Sequence, residues 1–209
     1  MATYNEGNEE SSEEEKQVVQ QPLPVDALIQ NDLYKKRIVT VFGEVTGEQC
    51  RNVCAQMFSM VRESESEPIT MLIDSPGGDL MAGMMVYDLM RMVEPPVHTV
   101  AMGLAASMGQ FLLSAGEPGH RWIFPTARIM MHQPSSGIGG SAEDIRIQFQ
   151  QHKQTREIFE KHQARNIGKS IEEIHRDSER DRWFTAEDAC EYGIADKVMQ
   201  KWSELSIAK

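Results

Sequence analysis

The chain has 209 residues, 40% apolar and 25% charged, close to ordinary globular usage, and at about 150 residues per domain one domain is the better expectation. The formal charge of -11 is uneven: residues 1–20 hold six Glu and one Lys, a net -5, which leaves -6 for the body. A body that acidic, with no Lys/Arg cluster on any expected face, argues against a nucleic-acid or anionic-membrane surface, because phosphate binding needs concentrated positive charge.

Residues 1–25 are rich in Glu, Ser, Gln and Asn and end in QQPLPV, a composition that buries too little surface to offset ordering entropy, so a disordered acidic extension or propeptide is expected there. It has no basic region followed by an apolar stretch, so no secretory signal is read and the cytoplasm is the default. Residues 37–42 (RIVTVF) form a β-branched strand closed by Gly43. Thr46 with Gln49 has the pattern of a capping box, and Cys50, Val53, Cys54, Met57 and Val61 recur at helical spacing. A short strand at 69–73 precedes the tight turn DSPGG (74–78) and a Met-rich helix over 80–93, which Pro95 and Pro96 stop. Residues 95–116 carry no formal charge. His98, Gln110 and several small residues interrupt that stretch, so a buried strand (97–102) followed by a buried helix (107–114) is expected rather than a membrane span. Strands at 121–124 and 128–132 lead into the loop QPSSGIGG.

From Ser141 to Asn166 runs a long polar helix. Its thin apolar stripe (Ile145, Phe149, Ile158, Phe159) is too weak for a core helix and projects toward a partner chain. Ser170 with Glu173 and Thr185 with Asp188 cap two short helices, the second ending at Gly193, and a last strand covers 194–199. Repeated strand–helix units imply parallel pairing with right-handed crossovers, hence an α/β domain covered by helices over 26–209. Ligand sites in such folds lie beyond the carboxyl ends of strands, which sets DSPGG and AASMG on one rim.

Three cysteines without paired spacing make no disulfide framework. Cys50 and Cys54, four apart on one helical face, and Cys190, in a later helix, are expected to be small packing residues. No Gly-Lys-Ser/Thr phosphate loop, G-x-G-x-x-G after a strand, H-E-x-x-H or paired C-x-x-C occurs, so neither cofactor nor metal is expected.

Three side chains could carry chemistry. Ser107, in AASMG at a strand-to-helix junction, is either a nucleophile on a sharp turn or an ordinary N-cap. His132 closes the strand RIMMH at the same rim and is either a general base or a structural histidine. Asp181 belongs to the charged run 176–182 just before Trp183–Phe184, either a solvated surface or an acid turned inward and buried against an imidazole. Gly77 and Gly78 follow a strand where backbone N–H groups can face an oxyanion.

These segments resemble the proteolytic subunit of the ATP-dependent Clp protease, a serine peptidase, across residues 33–200: SPGG (75–78), AGMMVYDLM (82–90), MGLAASMGQFLLSAG (102–116), ARIMMHQPS (127–135) and RDSERDRWFTAEDACEYGIADKV (176–198). The resemblance implies a ClpP/crotonase-like α/β fold with a projecting handle at about 133–166. It implies Ser107 as nucleophile, His132 as general base and Asp181 as its orienting partner, with Gly78 and Met108 N–H groups as the oxyanion hole. It further implies two stacked seven-membered rings, a homo-oligomer or one containing a paralogous subunit, fed with unfolded protein by an AAA+ unfoldase that itself binds the ATP. Asp74 stands where the family has Asn, adding negative charge near the substrate groove, and residues 29–37 (IQNDLYKKR) depart from the family's pore segment. Two other expectations remain beside the peptidase: a non-catalytic or regulatory ring subunit, and a crotonase-like acyl-CoA enzyme.

Overall fold

The computed structural model describes residues 25–135, 137 and 139–205; the acidic extension lies outside the described residues. The chain runs through α1 (Val25–Lys35), β1 (Ile38–Phe42), α2 (Gly47–Glu63), β2 (Ile69–Ser75), α3 (Leu80–Met92), β3 (Val97–Ala106) and α4 (Met108–Ser114). It continues through β4 (Arg121–Ile123), β5 (Arg128–Met131), α5 (Ala142–Ile167), α6 (Ile171–Asp177), β6 (Arg182–Phe184), α7 (Ala186–Tyr192), β7 (Lys197–Val198) and a 3-10 turn (Trp202–Glu204).

The strands make one sheet in the order β1-β2-β3-β4-β7, all parallel. β3 has two neighbours on one side: its Thr99–Ala101 portion pairs with β4, and Leu104–Ala106 pairs with β5. The expected all-parallel pairing fails at the rim, where β6, a strand the sequence did not reveal, joins β5 antiparallel. One sheet face packs against the helices through Val39, Val41, Met71, Ile73 and Ala101, with Phe111 of α4 in the same core. The other gathers Ile38, Leu72, Val100, Trp122, Met199 and Leu205. The uncharged stretch is the buried strand–helix pair β3–α4, and among the described residues no helix is long and apolar enough to cross a membrane.

Local chemistry sets most boundaries. Ser141, Ser170 and Thr185 form reciprocal capping boxes with Asp144, Glu173 and Asp188, and Gly193 ends α7 in the left-handed conformation. At Thr46 only half the expected box forms: its hydroxyl accepts from Gln49 N–H, while the Gln49 side chain donates instead to the Phe42 carbonyl. The expected strand at 194–199 shrinks to Lys197–Val198, because its neighbour β4 offers only three residues to pair with. Cys50 and Cys54 are buried in the core with free thiols, and burial pushes the Cys50 thiol up to about 11.

Residues 142–158 of α5 are exposed or half-buried throughout, including Ile145, Ile147, Phe149 and Ile158. Arg156 already meets His175 of α6, and apolar docking begins at Phe159, which stacks on Phe111, and continues through Gln163, whose amide donates to Gln110. Phe159 is therefore not part of the projecting stripe but the point where the helix joins the body. At about 1.5 Å per residue the part before Phe159 reaches roughly 25 Å.

Candidate active site

Ser107 sits between the last residue of β3 and the first of α4 with φ 54 and ψ -117, a conformation a non-glycine residue adopts only where its surroundings enforce it. The enforcement is visible. Its N–H donates to the Met130 carbonyl on β5 (2.9 Å), and its carbonyl accepts from Phe111 N–H in α4 (3.0 Å). As an N-cap, its hydroxyl would bond a backbone N–H of the first helical turn; it makes no such bond and is 2.8 Å from His132 Nε2. The turn that breaks β3 thus turns the hydroxyl out of helix capping and toward an imidazole.

His132 arrives by strand register. β5 lies beside the tip of β3, pairing Ala106 with Met130, so the residues just beyond the two strands share one rim. Asp181 arrives the same way: β6 pairs Phe184 with Ile129, Trp183 with Met130 and Arg182 with Met131, and one more step sets Asp181 opposite His132. Its Oδ1 lies 3.3 Å from His132 Nδ1. The approach to β6 is pinned beside it, where Gln133 N–H donates to the Ser178 carbonyl (2.7 Å) and the Gln133 amide to the Glu179 carbonyl (3.2 Å). Arg182 pairs with Asp177 (2.6 Å) and lies over the Tyr192 ring. Burial pushes the Asp177 carboxyl up, but the Tyr192 hydroxyl, Arg176 and Arg182 together hold it below the ordinary range. Of the two readings of Asp181, the buried one is not met: its side chain is 61% exposed, against 26% for His132, because a strand of three residues brings it only to the surface beside His132.

Were the imidazole proton on Nδ1, facing Asp181, Nε2 would be open to accept from the Ser107 hydroxyl. Gly78 and Met108 line the same groove, about 450 Å3 in volume, with Pro76, Leu80, Met81, Pro134 and Phe159. Met108 is the first residue of α4, so its N–H lacks an intrahelical acceptor. Gly77 (φ +95) comes so close that a Cβ there would sit 2.6 Å from the Ser107 Cβ and 3.1 Å from Met108 N. Glycine is required there because the turn and the helix start press backbone against backbone.

The sequence reading did not anticipate two contributors. Phe159 floors the groove from the docked part of α5. Asp79 lines it while its carboxylate caps α3 by accepting from Ala82 N–H (3.0 Å). Asp74, in contrast, uses Oδ1 to accept from Leu104 N–H (2.9 Å), and the groove walls are made by other residues. Among the described residues no group of three or more His, Cys, Asp or Glu gathers to hold a metal.

The Clp protease family model matches residues 25–202. Relatives include the ATP-dependent Clp protease proteolytic subunit 1 of Frankia casuarinae, 49% identical over 176 residues, covering 84% of this chain and 83% of that protein. Subunit 2 of Nocardia farcinica is 48% identical over 167 residues (80% and 82%). Subunit 1 of Streptomyces avermitilis is 45% identical over 184 residues (88% and 85%).

Proposed function

The chain belongs to the Clp protease family, and we propose that it is a serine endopeptidase subunit in which Ser107 attacks the substrate carbonyl. His132 Nε2 takes the serine proton and returns it to the leaving amine, while Asp181 fixes the imidazole tautomer and steadies the imidazolium. The N–H groups of Gly78 and Met108 hold the developing oxyanion, each lowering the barrier by about 3 kcal/mol. Water then hydrolyses the acyl-enzyme. The observation that carries this reading is the 2.8 Å contact between His132 Nε2 and a serine hydroxyl withdrawn from helix capping. Its substrates are unfolded proteins delivered by an AAA+ unfoldase that hydrolyses the ATP. Two seven-membered rings enclose the site, with the part of α5 before Phe159 reaching the opposite ring, in the cytoplasm.

A second reading, a ring subunit that supports an active paralogue, is favoured by the exposure of Asp181 and its 3.3 Å separation from His132. One experiment separates the two. The chain alone, treated with a serine-reactive fluorophosphonate and assayed on short fluorogenic peptides, labels at Ser107 and cleaves, and Ser107→Ala abolishes both while rings still assemble. Peptide cleavage retained by Ser107→Ala sinks the assignment; absence of labelling without the paralogue selects the second reading.

A further inference from the structure

Of the described residues that line the groove, Asp79 alone carries a fixed charge. Its position follows from helix chemistry. As N-cap of α3 it donates its own N–H to the Val45 carbonyl (2.8 Å), and its Oδ1 accepts from Ala82 N–H. Those bonds hold the carboxylate at the groove edge directly after Gly78, and Oδ2 has no partner among the described residues. Beside it the walls are apolar: Leu80, Met81, Met108 and Phe159. Apolar walls with a single carboxylate among them match a side chain with a long aliphatic stem and a cationic head, since Lys and Arg lay their methylenes along apolar surface and keep the charge toward water.

Resting on the reading of this groove as a peptidase site, we propose that Asp79 selects a basic residue at the position whose carbonyl Ser107 attacks. The position follows from adjacency: the carbonyl oxygen would meet Gly78 N–H, and the side chain on the neighbouring carbon enters the groove beside the next residue, Asp79. Because Asp79 is exposed, attraction for Lys or Arg and repulsion of Glu each contribute a few-fold, on the order of tenfold together.

The test uses the full chain and three peptidyl phosphonate probes with a basic, a leucine-like or an acidic side chain next to the phosphorus, with Ser107 labelling followed by intact mass. The basic probe labels about tenfold faster than the acidic one, and raising salt from 0.05 to 0.5 M draws the ratio toward one. Asp79→Asn and Asp79→Ser keep a capping side chain and collapse the ratio at low salt; a ratio unchanged in both variants overturns the proposal. Equal rates for basic and acidic probes, with plain fluorophosphonate still reacting, overturn the charge selection and leave the peptidase reading standing. No labelling by any probe, plain fluorophosphonate included, overturns both.

Discussion

Replacing Gly77 by Ala tests whether the turn before α3 and the serine turn form one rigid unit. The added Cβ would lie 2.6 Å from the Ser107 Cβ and 2.9 Å from the Ala106 carbonyl oxygen, where carbon contacts under 3.0 Å are essentially never found, so the gap must open by at least 0.4 Å. Neither neighbour is the tip of a flexible side chain. Either Ser107 retreats, stretching its 2.8 Å contact with His132, or the 77–78 backbone retreats and carries Gly78 N–H away from Met108 N–H. A displacement near 1 Å at a reacting centre costs about 10²-fold, so roughly half that gives a loss between about tenfold and 10²-fold in Ser107 labelling and peptide turnover. The left-handed φ of +95 adds about 1–2 kcal/mol of backbone strain. Gly43→Ala is the control: it has φ +74 but nothing within 4 Å, so it incurs the strain without the clash. Both variants lose a few degrees of melting temperature at about 2–4 °C per kcal/mol. Only Gly77→Ala loses labelling rate, measured at 25 °C on folded protein. Rates within twofold of each other in the two variants would refute the coupling.

Two further outcomes concern stability. The Arg121 guanidinium donates to the carbonyls of Ser114, Asn166 and Gly193 near the ends of α4, α5 and α7, and pairs with Asp196, whose carboxyl burial pushes up but Arg121 holds below the ordinary range. Arg121→Met leaves Asp196 only the backbone N–H groups of Gly119 and Arg121 and takes the donor from three carbonyls near helix ends, which costs about 1–3 kcal/mol by thermal denaturation; a loss under about 0.5 kcal/mol sinks this account. His98 lies buried, stacked on His120, and burial first and His120 second push it down to about 4. Between pH 6.5 and 4 the unfolded chain binds a proton there that the folded chain refuses, so stability falls by roughly 3 kcal/mol as pH drops through that window. Denaturant midpoints at pH 7.5 and 4.5 should converge partway in His98→Phe, and an unchanged pH dependence in that variant removes His98 as the cause.

What the sequence disclosed of the site depended on how local each cause is. Ser107 and His132 were visible because each ends a strand, and small neighbours or a Gln-Pro pair mark the junction. Asp181 was ambiguous because its place is set by an antiparallel register with β5, across about 50 residues, and three residues of strand leave no periodicity to read. Asp79 was passed over because its position directly after the 74–78 turn marks nothing beyond a helix start, and it does cap α3. Phe159 was grouped with the exposed stripe of α5 because spacing along a helix says nothing of where the body it packs against begins. The opposite sheet face, closed partly by Leu205 from the 3-10 turn, gave no sequence signal because its contacts join chain ends.

The rim depends on a division within β3. A straight strand pairing with one neighbour along its length would leave no place for β5 beside the serine. The division falls where β2 and β3 slip register between Ile73 and Ser75, opposite Gly103 with φ 55. A side chain at Gly103 would meet Asp74 Oδ1 at 2.8 Å, and that same oxygen accepts Leu104 N–H. The slip withdraws a backbone acceptor from this amide, and the Asp74 side chain supplies one. An Asp or an Asn oxygen can fill that role, so the contact depends on the oxygen and not on the charge. The charge at position 74 therefore belongs to the strand that carries Ser107, and the charge that faces the groove is that of Asp79.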